Sequence, residues 1–351
     1  MTTQTETVPT ETRSCEPRLE RKASLDVLKC LCAFLVVCLH TWEGNQIAYF
    51  FMPLERVAVP LFFMMSGFFY TGSRMRGSAG RNIVRILSLL LLSNLFYLFF
   101  MILQNLLQKQ SLAAYFATLF QGESLRSALL FSASPIAGHL WYLSALLYVL
   151  LLLYVLYKKR IMKYLYALIP ILLLGNLLAG NYAKVFTGTG YPIYYARNAL
   201  LCGLPFFLIG LGLYHLYGKG ERKLPSWLLL AAGTAFFAAA SLHEKYLLTR
   251  AGKNSNEDLY ASTIFLSVFL FLIFLKRPNL GQNTIVAKIG RELSLLIYIL
   301  HVLVREAVSR IAEVLGIFDF YSKIAFLVVF LLTAILAALL HKLTILRKIT
   351  G

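Results

Sequence analysis

The chain has 351 residues, of which 59% are hydrophobic and only 14% are charged, and its mean hydropathy is +0.69. Soluble globular proteins carry about 25% charged residues, so this composition excludes that class and indicates a helical protein that crosses a membrane several times. The net charge of +18 does not indicate nucleic-acid binding, because the basic residues are distributed between the apolar segments.

Apolar segments recur along the chain and predict an all-α integral membrane protein with about ten transmembrane helices. The spans are expected at residues 25–43, 57–71, 83–104, 139–157, 162–180, 199–217, 225–243, 260–276, 293–312 and 322–341. With the N-terminus in the cytoplasm, 23 of the 34 Lys and Arg residues lie on the cytoplasmic side. We therefore expect both termini in the cytoplasm, and we expect the surplus positive charge to contact anionic lipid.

The predicted transmembrane domain occupies residues 25–341, between a disordered tail at 1–24 and a short basic tail at 342–351. The first 20 residues are rich in Thr and Glu and lack the hydrophobic stretch of a signal peptide. Three of the five cysteines crowd the first span without metal-ligand partners. We interpret the cysteines as packing residues, and we expect neither a disulfide framework nor a metal site.

The first span contains an acid, a base and a histidine, namely Asp26, Lys29 and His40. Lys29 and His40 are separated by roughly 16 Å along a helix, about half of a ~30 Å hydrocarbon core. An ionisable side chain at that depth is costly unless it faces a polar cavity, which makes His40 a functional candidate. Position alone equally allows a neutral histidine bonded to a neighbouring helix.

The second span contains Pro60 and the pair Ser66-Gly67. Both interruptions free backbone groups that protein or water must satisfy, so we expect a kinked helix that lines a cavity. After it, Arg74, Arg76, Arg81 and Arg85 form a basic cluster. The cluster either sets topology alone or binds an anionic group such as a phosphate.

On the outer side, residues 105–138 are expected to contain an amphipathic helix near 112–120. His139 is predicted at the level of His40, and Trp141 and Tyr142 fit an aromatic belt. The loop 181–198, which carries Arg197, either binds a polar ligand or is simply solvated. Glu244 is a candidate acid near the outer mouth, and the loop 249–258 is expected to be solvated.

The ninth span places Tyr298 and His301 near mid-depth, and Arg305, Glu306 and Arg310 follow on the next turns. A series of polar groups along one helix favours a face directed at a cavity over a face directed at lipid.

These segments together resemble the acyltransferase family 3 of membrane proteins, from about residue 25 to 341. The similarity rests on Lys29 and His40, with ten residues between them in the first span, and on four later blocks in the same order. Those blocks are residues 56–68, 139–143, 205–210 and 294–301. The family includes bacterial enzymes that O-acetylate surface polysaccharides and the membrane half of vancomycin-resistance serine racemases. The chain departs from the family in carrying Lys at position 29, where Arg is commoner.

The resemblance implies an acyl-CoA donor, with acetyl-CoA as the default, in the cytoplasm of a bacterium whose cytoplasmic membrane holds the protein. It also implies a glycan or other hydroxyl acceptor outside. The donor is expected to bind Lys29, Arg74, Arg81, Arg85, Ser66, Tyr298 and His301. The acceptor is expected to bind Trp141, Tyr142, Arg197 and Glu244.

The chemistry is expected at His40, which either removes a proton from the acceptor hydroxyl or carries the acyl group covalently. Arg56 or His139 is expected to position the acceptor or to stabilise the oxyanion. The alternative function is transport of a small polar substrate, such as serine, along the same polar face.

Overall fold

The computed structural model describes residues 22–42, 45–70, 79–158, 162–218, 222–254 and 258–343. In these ranges the protein consists of helices and their connections, without a β-strand. The helices are α1 (Ala23–Leu39), α2 (Gln46–Glu55), α3 (Ala58–Phe68), α4 (Ala79–Leu107), α5 (Leu112–Leu119), α6 (Gly122–Phe131), α7 (Trp141–Lys158), α8 (Lys163–Ala179), α9 (Ala183–Thr187), α10 (Ala199–Gly218), α11 (Trp227–Arg250), α12 (Ala261–Lys276), α13 (Ile285–Glu292), α14 (Ser294–Val314) and α15 (Phe318–His341).

A helix overlaps each of the ten predicted spans, which confirms the all-helical fold class. Six helical segments in the described part of the chain are long and apolar enough to cross a membrane. They are Gln46–Phe68, Ala79–Leu107, Gly138–Tyr157, Ala199–Gly218, Trp227–Arg250 and Phe318–His341. The total of ten spans and the cytoplasmic side of the termini stay predictions.

Helix α4 has an exposed apolar face and a buried inner face. Leu91, Leu95 and Phe99 recur at every fourth position and expose 60%, 65% and 67% of their surface. Residues spaced by four share one face of a helix, so α4 has a continuous apolar outer stripe. Tyr97 is buried on the inner side, where only 2% of its surface is exposed. The apolar stripe is the side expected to face lipid.

The kink expected at Pro60 or Ser66-Gly67 is not found, because α3 is continuous from Ala58 to Phe68. The chain turns at Arg56 and Val57, between α2 and α3. Pro60 lies in the first turn of α3, where no intrahelical N–H is required. The turn places Arg56 at the end of α2, where it lines an interior cavity.

Gly67 has a packing role, not a kinking role. A Cβ atom on Gly67 would lie 1.9 Å from the carbonyl oxygen of Phe207 in α10. A Cβ atom on Gly210 of α10 would lie 1.9 Å from the carbonyl oxygen of Met64 in α3. Small residues on both helices therefore let the backbones of α3 and α10 touch.

Helix α13, which the sequence analysis did not predict, is seated on α1 in a similar way. A Cβ atom on Gly290 would lie 1.8 Å from the carbonyl oxygen of Asp26. This contact brings the end of α13 beside the first turns of α1. The predicted amphipathic helix at 112–120 is confirmed as α5, and α6 follows it.

The cysteines that the structure describes are buried, as expected of packing residues. Cys30, Cys32, Cys38 and Cys202 are free and buried. Cys15 lies outside the described residues.

Candidate functional site

Three histidines from separate elements meet inside the bundle. His40 follows the last turn of α1, His139 lies in the 3-10 turn before α7, and His301 belongs to α14. The ring centroid of His301 is 4.9 Å from that of His40 and 5.3 Å from that of His139. We call these three residues the histidine cluster.

Two tyrosines fix the position of His139. The ring of Tyr97 lies 4.8 Å from the His139 ring, and its hydroxyl donates to the carbonyl oxygen of Ile299 at 2.6 Å. The hydroxyl of Tyr298 donates to the carbonyl oxygen of His139. Nε2 of His139 lies 3.2 Å from the carbonyl oxygen of Ile299. Because a carbonyl only accepts, Nε2 carries the ring hydrogen, and a neutral His139 has its lone pair at Nδ1.

Beside the histidines, one carboxylate holds two guanidinium groups. Oδ1 of Asp258 lies 2.8 Å from Nε of Arg197 and 3.8 Å from Nη1 of Arg56. The backbone N–H of Asp258 donates to the side-chain oxygen of Asn181 at 3.1 Å. Nε of Arg56 is buried and has no hydrogen-bond partner among the described residues. This cluster of two cations and one anion is suited to holding further negative charge.

The largest of three cavities, which we call the basic cavity, has a volume of about 600 Å³. The charged side chains that line it are Lys22, Lys29, Arg85, Arg291, Asp26 and Glu292. Arg291 lies 2.8 Å from the Glu292 carboxylate and holds the pKa of that carboxyl below its usual range. Four cations against two carboxylates leave an excess of positive charge at this end of the bundle.

The interior part of the basic cavity is uncharged and polar. Ser66, Tyr142 and Tyr298 line it. The hydroxyls of Ser66 and Tyr142 are 3.4 Å apart, and the rings of Tyr142 and Tyr298 have centroids 5.5 Å apart. The cavity therefore changes from charged groups near the start of α1 to hydroxyl groups near α14.

A second cavity, the histidine cavity, has a volume of about 50 Å³. Its polar lining consists of His40, His139, Arg56, Arg197, Asp258, Trp141 and Tyr298. Tyr298 lines both this cavity and the basic cavity. The phenol ring of Tyr298 thus forms a wall shared by the two spaces.

A third cavity, the acidic cavity, has a volume of about 150 Å³ and is lined by Arg305, Glu306, Ser309, Glu313 and Ser322 together with His40. Since His40 also lines the histidine cavity, it is shared by these two spaces. The three cavities form a series, with Tyr298 between the first and second and His40 between the second and third. His40 thus lines the second and third cavities and does not line the first.

Most residues predicted for the site surround these cavities. His40, Arg56, His139, Trp141 and Arg197 line the histidine cavity. Lys29, Arg85, Ser66 and Tyr298 line the basic cavity. His301 was predicted to bind the donor, but it is enclosed in the histidine cluster.

Three predicted residues lie elsewhere or face another cavity. Tyr142 was predicted to bind the acceptor, but it lines the basic cavity, because consecutive helical residues point about 100° apart. Arg81 is exposed and does not line any of the three cavities. The side chain of Glu244 accepts hydrogen bonds from the backbone N–H groups of Ala261 and Ser262 at 2.8 and 3.0 Å. It thus caps α12 and is removed from the site. Arg74 lies outside the described residues.

Sequence reasoning missed several charged residues of the site, among them Asp258, Arg291 and Lys22. Asp258 was assigned to a solvated loop, yet it is buried and paired with Arg197 and Arg56. Arg291 was counted only as a topology determinant. An acid directly before an apolar span, in a chain rich in cations, is the signal that indicates a paired Asp258. Within the described residues, no group of three or more His, Cys, Asp or Glu side chains is arranged to hold a metal ion.

The helices and interior polar groups define a multi-pass membrane protein with buried cavities. The family model described as the acyltransferase domain, Acyl_transf_3, matches residues 22–342. The chain therefore belongs to this acyltransferase family, and the resemblance noted in the sequence is confirmed.

A curated relative is an amino-acid racemase from Enterococcus faecalis, with 26% identity over 342 residues. The match covers 91% of this chain and 46% of the racemase, so the chain spans about half of that relative's length. No solved structure matches the chain.

Proposed function

We propose that the protein transfers an acyl group, by default acetyl, from a cytoplasmic acyl-CoA to a hydroxyl of an extracytoplasmic acceptor such as a cell-envelope polysaccharide. The observation that carries this proposal is the series of cavities that meets at His40. In it the basic cavity and the histidine cavity share Tyr298, and the histidine cavity and the acidic cavity share His40. On this proposal the membrane is the bacterial cytoplasmic membrane, and the basic cavity opens to the cytoplasm.

The basic cavity suits the donor. Phosphate oxygens of coenzyme A match the guanidinium groups of Arg85 and Arg291 and the ammonium groups of Lys22 and Lys29. Ser66 and Tyr142 supply hydroxyls farther in, where an amide-bearing pantetheine arm would lie. An arm on the order of 15–20 Å covers the rise from Lys29 to His40, which is roughly 16 Å. The fit supports an acyl-CoA entering from this end.

In the reaction at His40 the acyl group moves from the thioester sulfur to the oxygen of the acceptor hydroxyl. His40 takes the proton of the acceptor hydroxyl while the hydroxyl oxygen bonds to the thioester carbon. The carbon–sulfur bond breaks, the thiolate leaves toward the basic cavity, and the proton from His40 neutralises it. The covalent route, in which a nitrogen of His40 carries the acyl group between two such steps, uses the same residues.

Arg56 is better suited than His139 to stabilise the oxyanion. The ring hydrogen of a neutral His139 is committed to the carbonyl oxygen of Ile299, so the free nitrogen can only accept. Arg56 lines the same cavity as His40, and its Nε–H has no partner among the described residues. We therefore assign oxyanion stabilisation to Arg56 and orientation of the site to His139.

The test uses membranes that contain the full chain, labelled acetyl-CoA and the envelope fraction of a bacterial host. His40→Ala is expected to lower the label transferred by at least about 100-fold, as for the loss of a general base. His243→Ala is the matched control, since His243 is exposed on α11 and lines none of the three cavities. Undiminished transfer by His40→Ala contradicts the proposal.

The second candidate function is transport of a small polar substrate, for example an amino acid such as serine. The cavities in series and the similarity to an amino-acid racemase favour it. Proteoliposomes distinguish the two functions. Uptake of labelled serine without acetyl-CoA supports transport, whereas incorporation of label from acetyl-CoA without serine uptake supports acyl transfer.

A further inference from the structure

His301 is a fully buried histidine with one committed and one uncommitted ring nitrogen. Its Nδ1 lies 2.7 Å from the carbonyl oxygen of Tyr298 and 3.2 Å from that of Ile297. Because both partners only accept, Nδ1 carries the hydrogen and a neutral ring has its lone pair at Nε2. That Nε2 is buried without a hydrogen-bond partner in the described part of the chain. A buried acceptor without a donor is unfavourable, so a donor is expected at this position.

Among the described rings that contact His301, one is able to supply the donor. His139 contacts the His301 ring, but its N–H is given to the carbonyl oxygen of Ile299. Tyr298 gives its hydroxyl hydrogen to the carbonyl oxygen of His139. His40 is the remaining ring in contact with His301. One nitrogen of a neutral His40 carries a hydrogen.

We propose that His40 and His301 act as a dyad in which a ring N–H of His40 donates to Nε2 of His301. A linear N–H···N bond between two imidazoles places the ring centroids about 5 Å apart. The observed separation of 4.9 Å matches that distance. The backbone carbonyls that hold Nδ1 of His301 fix which nitrogen accepts.

The dyad sets the tautomer of His40. With one nitrogen donating to His301, the other presents its lone pair to the histidine and acidic cavities that His40 lines. When His40 takes the proton of the acceptor hydroxyl, its other ring N–H stays hydrogen-bonded to Nε2 of His301. This hydrogen bond stabilises the imidazolium of His40. His301 neither gains nor loses a proton. It is a positioning residue, and this role rests on the proposed acyl transfer.

The kinetic test compares His301→Leu, which removes the acceptor atom, with His301→Gln, which retains one. We expect His301→Leu to lower kcat about 100-fold while the KM for acetyl-CoA changes no more than about twofold, since the basic cavity is untouched. The kcat of His301→Gln is expected to be about tenfold higher than that of His301→Leu. His243→Leu is the control and is expected to match the wild type. The dyad is overturned if His301→Leu has the kcat of the wild type. It is also overturned if His301→Leu and His301→Gln lower kcat by the same factor.

A second measurement uses the wild-type protein. It therefore depends neither on the folding of a variant nor on enzymatic activity. In wild-type protein with 15N-labelled histidine, reconstituted in nanodiscs, the hydrogen bond predicts a scalar coupling between one nitrogen of His40 and Nε2 of His301. Its absence, with both rings resolved in their neutral forms, overturns the proposal. Coupling without acetyl transfer leaves the dyad standing and removes the proposed function. Transfer that requires His40 but is unaffected in His301→Leu removes the dyad alone.

Discussion

Arg197 and Asp258 form the shortest contact in the charged cluster of the site, with Nε and Oδ1 2.8 Å apart. Only 12% of the Asp258 side chain is exposed, and the same carboxylate oxygen lies 3.8 Å from Nη1 of Arg56. One anion therefore neutralises part of the charge of two guanidiniums beside His40. This arrangement determines how much positive charge the histidine cavity presents to a reacting group.

Replacing that carboxylate is expected to destabilise the fold and the site together. Asp258→Asn leaves two largely buried cations without their anion, a change that costs on the order of 3 kcal/mol. We expect a lower temperature of thermal unfolding in detergent and a loss of acetyl transfer. Asp319→Asn, at an exposed position in the first turn of α15, is the control. An unchanged unfolding temperature for Asp258→Asn contradicts a structural role for the cluster.

The contact between α3 and α10 predicts strong intolerance of one methyl group. In Gly210→Ala the new Cβ atom meets the carbonyl oxygen of Met64 at 1.9 Å, so the two backbones must separate. Overpacking costs about 1–3 kcal/mol even where side chains yield, and here the obstacle is backbone. We expect little folded protein in size-exclusion chromatography. Gly80→Ala, which meets no atom within 4 Å, is expected to behave as the wild type.

The basic cavity predicts which arginines contact the donor. Arg85→Gln and Arg291→Gln each remove a charge-assisted hydrogen bond to phosphate, so the KM for acetyl-CoA is expected to rise about tenfold with little change in kcat. Added salt should raise the KM of the wild type by screening the same charges. Arg81→Gln is the comparison, because Arg81 is exposed and lines none of the three cavities. An equal rise in KM for Arg81→Gln contradicts this assignment.

The position of Tyr298 predicts opposite effects for two substitutions. Tyr298→Phe keeps the ring between the basic and histidine cavities and removes only the hydrogen bond to His139, so we expect a severalfold lower kcat. Tyr298→Ala removes the ring and joins the two cavities. We then expect water to reach the thioester and release coenzyme A without an acceptor. The rate of acetyl transfer checks Tyr298→Phe, and the release of free thiol without acceptor checks Tyr298→Ala.

The sequence supports the local features of this fold better than its long-range pairings. Apolar runs, the polar face of α14 and the histidine at the end of α1 follow from patterns within one segment. Asp258 pairs with Arg197, 61 positions away, and the local pattern that indicates a paired acid does not identify its partner. The packing role of Gly67 was missed for the same reason, because the clash appears only when α10 is present.

A second limit of prediction from sequence concerns the direction in which neighbouring residues on one helix point. Trp141 and Tyr142 were predicted to share a role, but they line different cavities. Glu244 was predicted for the site from its depth, but depth along the membrane does not determine the direction of a side chain. Its carboxylate is occupied by the start of α12. Residue type and depth thus narrow the candidates, and packing decides among them.

The walls shared through Tyr298 and His40 have a kinetic consequence on the proposed route. On this route each reactant occupies its own cavity, so both are able to be present at once and neither must depart before the other arrives. A ternary complex, with initial-rate lines that intersect when both concentrations are varied, is the corresponding steady-state pattern. The acyl group would then cross the bilayer while coenzyme A stays on one side and the acceptor on the other.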